Sequence, residues 1–272
     1  MPRIPSVRRA QALRADPHKL YQDAVQCPQA EIDFVERTFK KLRRRQAMTL
    51  REDFCGTALN CCEWVRRGSR RTAFGVDRDG DVLAWGRRHN VNRLPPAARR
   101  RLRLVEADVL ASGVRRVDVV LALNFSYWVF KRRDQLRGYF KSARAGLVRD
   151  GILVMDAYGG YDALRVLRER TPRKNYTYVW HQAAYNPVTG EMTCHIDFVF
   201  PDGSRLPRAY TYHWRLWTLP ELRELLAEAG FRRSTVYWQQ WDEKTQKPAD
   251  EFLPTENGEA DACWLAYVVA EK

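Results

Sequence analysis

Long apolar runs are missing from this 272-residue chain: the best stretch, Val117 to Leu123, is only strand-sized. A membrane-spanning helix needs about 18 or more apolar residues, so no span is predicted. The N-terminal residues have no apolar core of the kind a secretory signal carries, which points to a cytoplasmic protein. Six cysteines are present (Cys27, Cys55, Cys61, Cys62, Cys194, Cys263), but no Cys-x-x-Cys pair. Adjacent Cys61 and Cys62 point to different sides of a helix. No metal site is therefore expected, and reduced thiols are the expectation in such a compartment. The glycine fingerprint G-x-G-x-x-G of nicotinamide enzymes is also absent, which argues against a dehydrogenase.

What the chain has is arginine. Of 47 basic residues 38 are arginine, and the net charge is +14. The balance is uneven: residues 1–174 carry 38 bases and 19 acids, whereas 175–272 carry 9 and 14. A basic half is compatible with nucleic acid or an anionic substrate, but an arginine-rich composition of the kind a GC-rich genome produces accounts for it more simply. With hydrophobic residues at 45% and charged residues at 29%, the chain is globular rather than disordered. Its length suits one large α/β domain or a domain with an insertion.

Periodicity gives the organisation. Ile32, Val35, Phe39 and Leu42 recur at helical spacing, ending in Arg43, Arg44 and Arg45. From Met48 onward, strand-like and helix-like segments alternate: strands at 48–54, 72–76, 102–105, 117–123 and 152–155, helices at 57–67, 80–92 and 133–148. This order predicts a mostly parallel sheet covered by helices on both faces. The all-apolar Val119 to Leu123 fits a central strand buried on both sides. From Asn175 to Leu216 the period becomes two, with turns at Asn186-Pro187 and Asp202-Gly203, so an antiparallel meander of three segments is expected. Thr218 and Glu221 form a capping box that opens a helix stopped by Gly230. Phe231 to Trp241 and Trp264 to Val269 read as final strands, joined by an acidic loop at 242–261.

Chemistry-bearing residues fall at the strand ends. The segment Leu50-Arg51-Glu52-Asp53-Phe54-Cys55-Gly56-Thr57-Ala58 closes the first strand and opens a helix, a place where a ligand meets backbone amides. Asp77 and Arg78 end the second strand, Asp108 and Val109 follow the third, and Asn124 follows the fourth. Open α/β sheets bind ligands at such carboxyl ends. Individually, each is also readable as a turn or a helix cap.

Together these segments resemble class I (Rossmann-like) S-adenosylmethionine-dependent methyltransferases of small-molecule type. Cys55-Gly56-Thr57 matches the family's first motif, commonly LDLGCGTG, with Glu52 at its acidic position and Phe54 and Ala58 in place of the outer glycines. The resemblance covers about 47–157 and 218–271. It implies a seven-stranded sheet with the meander inserted, and S-adenosyl-L-methionine as cofactor. By the same resemblance, Glu52, Cys55 and Gly56 lie in the cofactor loop and Asp77, with Arg78, receives the ribose hydroxyls. Asp108 and Val109 meet the adenine, and Asn124 lies beside the methionine end. Residues 1–46 are expected as a helical arm covering the pocket, from which Tyr21 would reach the cofactor carboxylate, as would Arg51. Packing of Tyr21, and pairing of Arg51 with Glu31 or Glu36, are the alternatives.

The acceptor is narrowed by absences. Asn124-Phe125-Ser126-Tyr127 lacks the double proline of the Asn/Asp-Pro-Pro-Tyr/Phe turn in adenine or glutamine N-methylating enzymes. No Pro-Cys nucleophile of the RNA cytosine type is present. Asn124 to Gln135 holds no glutamate of the protein-arginine type. The expectation is an enzyme that methylates an oxygen or nitrogen of a small molecule, with Tyr127, Tyr158 and His181 as acceptor contacts. An RNA or protein acceptor, or a catalytically silent partner protein, are the rival readings. Within the 47–272 domain, residues 175–216 are expected as an acceptor lid or a homodimer contact, whose aromatics either line the pocket or pack the sheet.

Overall fold

A computed structural model describes residues 10–245 and 247–272. The described chain forms two compact units. The smaller comprises the residues up to Gln26 together with Leu164–Arg215, and the larger comprises Cys27–Ala163 with Leu216–Lys272. The helix marked by Ile32, Val35 and Phe39 belongs to the larger unit, so the expected 1–46 arm is split between the two. Its first nine residues lie outside the described residues.

The smaller unit contains α1 (Gln11–Arg14), α2 (Pro17–Val25) and a four-stranded antiparallel sheet. Asp16 caps α2 by accepting the amide protons of His18 and Lys19. The larger unit begins with α3 (Pro28–Arg43) and β1 (Thr49–Asp53), then α4 (Leu59–Arg66), β2 (Thr72–Asp77), α5 (Gly80–His89), α6 (Pro96–Arg99) and β3 (Leu102–Glu106). β4 (Val117–Ala122), α7 (Arg133–Gly146) and β5 (Leu147–Gly159) complete the parallel part. The chain then supplies β6 (Leu167–Pro172), β7 (Thr177–Tyr185), β8 (Glu191–Val199) and β9 (Arg205–Arg215) to the smaller sheet, and returns as α8 (Leu219–Glu228), β10 (Arg233–Asp242), β11 (Lys247–Thr255) and β12 (Trp264–Glu271).

The large sheet has the order β11-β10-β12-β5-β4-β1-β2-β3. β1 to β5 run parallel, and β12 pairs antiparallel with β5 and β10. The α/β class, the parallel core and the inserted antiparallel segment are as the sequence implies. Two elements correct it. The sheet has eight strands rather than seven, because β11 occupies what reads as an acidic loop. Its prolines, Pro248 and Pro254, are tolerated at a sheet edge, and Phe252 anchors it by packing on Tyr267 at 4.5 Å and Phe34 at 5.9 Å. The meander likewise gains β6, an exposed strand of alternating charge with no apolar signal.

The sheet core explains the helices. β4 is buried along its whole length, as a central strand requires. α3 packs its apolar face (Ile32, Phe34, Val35, Phe39) with Leu50, Leu121, Val154 and Val269 in one cluster. At its C-terminal end Arg43 binds Glu271 at 2.6 Å and donates to the Asp150 carbonyl. At the opposite edge from the strand carboxyl ends, Asp118 accepts the Met48 and Thr49 amide protons and pairs with Arg45, fixing the start of β4 against β1. The strand order reverses direction between β1 and β4. That leaves a crevice at their carboxyl ends, the usual ligand position in open α/β sheets.

Candidate functional site

The loop from Phe54 to Ala58 joins β1 to α4. Phe54, Gly56 and Ala58 all have left-handed backbone (φ 58°, 52° and 58°). Two of these positions are not glycine, and such strain persists only where neighbours hold it. Here the Cys55 amide donates to the Val76 carbonyl at 3.0 Å, Ala58 to the Cys55 carbonyl at 2.8 Å, and Gly56 to Asp77 Oδ2 at 2.8 Å. The loop thus keeps the glycine-type path without the outer glycines. From outside, Asn90 Nδ2 of the α5 C-cap donates to the Thr57 carbonyl at 2.8 Å. A Cβ on Gly86 would stand 2.6 Å from that same carbonyl oxygen, so only glycine lets α5 approach.

Asp77 ends β2 with its Oδ1 accepting the Asp79 amide proton at 3.0 Å. Asp108, after β3, accepts the Leu110 amide proton at 2.8 Å. One cavity is lined by Phe54, Asp77, Arg78, Ala107, Asp108, Val109, Val129 and Phe130. Four sequence-marked residues, Asp77, Arg78, Asp108 and Val109, therefore share one cavity, and Gly56 touches it through Asp77. Phe54 and Phe130 stand at 6.1 Å and both rest on Tyr139. Sequence reading took Phe54 only as a substitution for glycine and missed Phe130, which follows a 3-10 turn that no periodicity marks.

Asn124 and Phe125, after β4, are both left-handed (φ 57° and 55°). Their amides donate to the two carboxylate oxygens of Asp156, at 2.7 and 2.9 Å, and so join the ends of β4 and β5. Burial pushes the Asp156 carboxyl up to about 7 although both amide protons favour its charged form. Tyr158, half-buried, meets Phe125 at 4.7 Å and Trp128 at 4.9 Å. The structure thus groups Tyr158 with the Asn124 turn.

Other sequence-marked residues are placed differently. Tyr127 is fully buried, and its hydroxyl donates to the Asp156 carbonyl at 2.7 Å, so it is a core strut rather than an acceptor contact. Arg51 is also buried. It pairs with Asp53 at 2.9 Å and donates to the Val114 carbonyl, while the Tyr139 hydroxyl donates to Asp53. Its guanidinium is committed to these partners under α7 and pairs with neither Glu31 nor Glu36. Glu52 points to the opposite sheet face, where it accepts from Asn60 Nδ2 at 3.0 Å and from the Cys61 amide at 3.3 Å. Burial pushes its carboxyl up to about 8. Cys55 is buried with its thiol pushed up by burial, a packing residue of the loop.

Tyr21 and His181 belong to the smaller unit. Tyr21 packs on Tyr210 at 4.8 Å, within a cluster formed by α1 and α2 over Tyr176, Ile196, Phe198 and Phe200. Tyr178 and Trp180 join this cluster, so these meander aromatics pack their own sheet. His181 lies on the other face of β7, 5.6 Å from His195 and 3.1 Å from Arg168. Burial and Arg168 hold its imidazole below the usual range. No disulfide joins any of the six cysteines. Among the described residues no three His, Cys, Asp or Glu side chains are grouped to hold a metal, and no helix is long and apolar enough to cross a membrane.

No protein-family model and no curated protein matches this chain. Solved structures do. A S-adenosylmethionine-dependent methyltransferase from Clostridium acetobutylicum superposes with TM-score 0.66 at 15% identity, over 93% of this chain and 96% of that one. CalS10, an amino pentose methyltransferase from Micromonospora echinaspora, gives 0.64 at 16% identity, over 93% and 95%. The sugar N-methyltransferase KedS8 from Streptoalloteichus gives 0.62 at 16%, over 95% and 93%. The chain has the Rossmann-like fold of class I methyltransferases.

Proposed function

We propose that this chain is an S-adenosylmethionine-dependent methyltransferase acting on an oxygen or nitrogen of a small molecule. The observation that carries it is the convergence of Asp77, Arg78, Asp108 and Val109 on one cavity, beside the strained Phe54–Ala58 loop. The fold likeness supports it independently. Two of the similar structures are described as an amino pentose and a sugar N-methyltransferase, which favours a small acceptor and, of the two atoms, nitrogen.

Each residue has a physical part in this reading. Asp77 holds one backbone amide on each carboxylate oxygen and retains lone pairs for the two ribose hydroxyls. Phe54, Val109, Val129 and Phe130 would offer apolar surface to an adenine, and Asp108 would supply an acceptor for its amino group. When bound, S-adenosylmethionine supplies a methyl group activated by a sulfonium. Phe125 and Tyr158 present aromatic surface near the turn that holds Asn124, and ring faces favour a positive charge. Positioning supplies much of the acceleration in such a transfer, and a neutral amine acceptor needs no strong base. Tyr158 is proposed as an acceptor contact.

Calorimetric titration with S-adenosylhomocysteine tests the reading. Saturable binding to one site is expected, followed by release of S-adenosylhomocysteine when the protein is given S-adenosylmethionine and a panel of small amines and alcohols. A folded protein that binds no S-adenosylhomocysteine would overturn it.

A further inference from the structure

The small sheet turns its aromatic cluster to one side and a polar row to the other. Arg168 on β6, His181 on β7, His195 on β8 and Thr211 on β9 are direct partners from strand to strand, so their side chains stand next to one another on one face. Arg168 Nη2 lies 3.1 Å from His181 Nδ1, the two imidazole rings are 5.6 Å apart, and His195 Nδ1 meets Thr211 Oγ1 at 2.9 Å. A guanidinium only donates, so His181 Nδ1 accepts and its neutral ring carries the proton on Nε2. In the next row Arg170 and Asp197 flank Val179. Arg168, Arg170 and Thr211 are exposed.

A further arginine reaches this row at a conformational cost. The pairing of β8 with β9 shifts between Ile196 and Phe198, and there Arg208 lies in left-handed backbone (φ 48°). Glycine takes that conformation freely and arginine does not. The Arg208 amide donates to Asp197 Oδ1 at 2.7 Å and so holds the bulge. Bulges re-aim side chains, and the Arg208 charge acts on both His181 and His195.

The charges on this face do not balance. Burial, then Arg168 and Arg208, hold the His181 imidazole below its usual range. Burial, Arg208, His181 and His213 do the same to His195. Asp197 acts the other way on both, and Arg168 reaches it at 3.6 Å. Arg168, Arg170 and Arg208 thus face one carboxylate around the histidine pair, which leaves an excess of positive charge. A metal cation would be repelled, and among the described residues no three His, Cys, Asp or Glu side chains are grouped to hold one. A monoanionic carboxylate would offset only part of the excess. A phosphate dianion offsets more, and its oxygens accept from guanidinium and imidazole N–H groups together.

We propose that Arg168, Arg208, His181 and His195 bind a phosphate dianion, either free or carried as the monoester of a small molecule. The site lies within the smaller unit and does not rest on the methyltransferase reading.

Calorimetric titration at about pH 8 in about 150 mM sodium chloride, where phosphates are dianions and surface attraction is screened, tests it with inorganic phosphate, methyl phosphate and acetate. Both phosphates should saturate one site with a dissociation constant of about 1 mM or tighter, and acetate should bind about tenfold more weakly. Both orders of the phosphates support the site: tighter methyl phosphate identifies an organic phosphate as the ligand, and tighter inorganic phosphate identifies the free ion. Arg208→Gly removes the charge and relieves the left-handed backbone, so the melting temperature should hold or rise while phosphate affinity falls about tenfold. Arg168→Gln, on the exposed β6, should show the same loss and serves if the glycine variant does not fold. Nuclear magnetic resonance should show His181 and His195 titrating at higher pH with phosphate bound, which a purely structural pair would not do. No saturation by about 20 mM phosphate, equal binding of acetate, or unchanged affinity in both variants would overturn the site and leave the row as a solvated sheet face.

Discussion

The Asn124 amide donates to Asp156 Oδ2 at 2.7 Å, and this contact ties the turn after β4 to a buried carboxylate of β5. Two consecutive left-handed residues, Asn124 and Phe125, depend on it, because their amides converge only if both bonds to Asp156 form. Asp156→Asn keeps the shape but replaces one acceptor oxygen with a donor. Loss of about 1–3 kcal/mol in folding stability is expected, as for a buried pair left unmatched. Urea unfolding measures it, and an unchanged midpoint would show that the turn is held by other contacts.

Asp77 is the residue on which the cofactor alignment turns. Asp77→Ala should weaken S-adenosylhomocysteine binding by about 1.5–3 kcal/mol, roughly tenfold or more. The substitution also removes the acceptor for the Gly56 amide, so the loop loses its anchor. Calorimetry on the folded variant decides it, with unchanged affinity counting against the placement of the ribose.

Gly86 separates helix propensity from packing. In an unconstrained helix Gly→Ala stabilises by about 1 kcal/mol. Here the new Cβ meets the Thr57 carbonyl. Overpacking of this kind costs about 1–3 kcal/mol, so Gly86→Ala is expected to destabilise, and to weaken S-adenosylhomocysteine binding by shifting the loop. Denaturation midpoints and titration together read both effects. A stabilised variant would show that α5 moves away freely.

Glu52 makes stability depend on pH in a stated direction. Its folded carboxyl is held up to about 8 by burial, above its unfolded value, so the folded state binds the proton more tightly. Its contribution is complete below the ordinary carboxylate range and is lost as pH rises toward 8. Asp156, raised to about 7, acts in the same direction. Stability of the ligand-free protein should therefore fall between about pH 5 and about pH 8, and Glu52→Gln should flatten that slope. Parallel slopes for the two proteins would show that Glu52 stays ionised.

The arginine excess should not translate into nucleic-acid affinity. Within the larger unit Arg43, Arg67, Arg71 and Arg133 are paired with Glu271, Glu63, Glu36 and Glu228. Binding of generic RNA should be weak at about 150 mM salt. Submicromolar binding with a steep salt dependence would move the acceptor from a small molecule to RNA.

The residues of the cavity lined by Asp77 and Asp108 were legible because their signal is local. Each acid stands where a strand pattern gives way to a helix pattern, and chain order alone puts Asp77 and Asp108 at neighbouring strand ends. What alternation could not tell was direction. Arg51 and Glu52 are adjacent on β1, so they necessarily face opposite sides of the sheet. Which side held α7 and which held α3 decided that Arg51 pairs with Asp53 while Glu52 joins Asn60. Tyr127 carried the same ambiguity, since a tyrosine after a strand serves as a pocket wall or a strut. Its hydroxyl bond to Asp156 settled it as a strut.

By itself, then, the sequence determined the α/β alternation, the inserted period-two segment, the Cys55-Gly56-Thr57 loop and the order of acids along the strand ends, because hydrophobic period and turn chemistry act over a few residues. Tertiary structure alone decided that β11 joins the sheet, that Phe130 closes on Phe54, and that Glu31 meets Asn60. Those contacts join segments tens to hundreds of residues apart, and only a folded sheet brings them within hydrogen-bond and packing range.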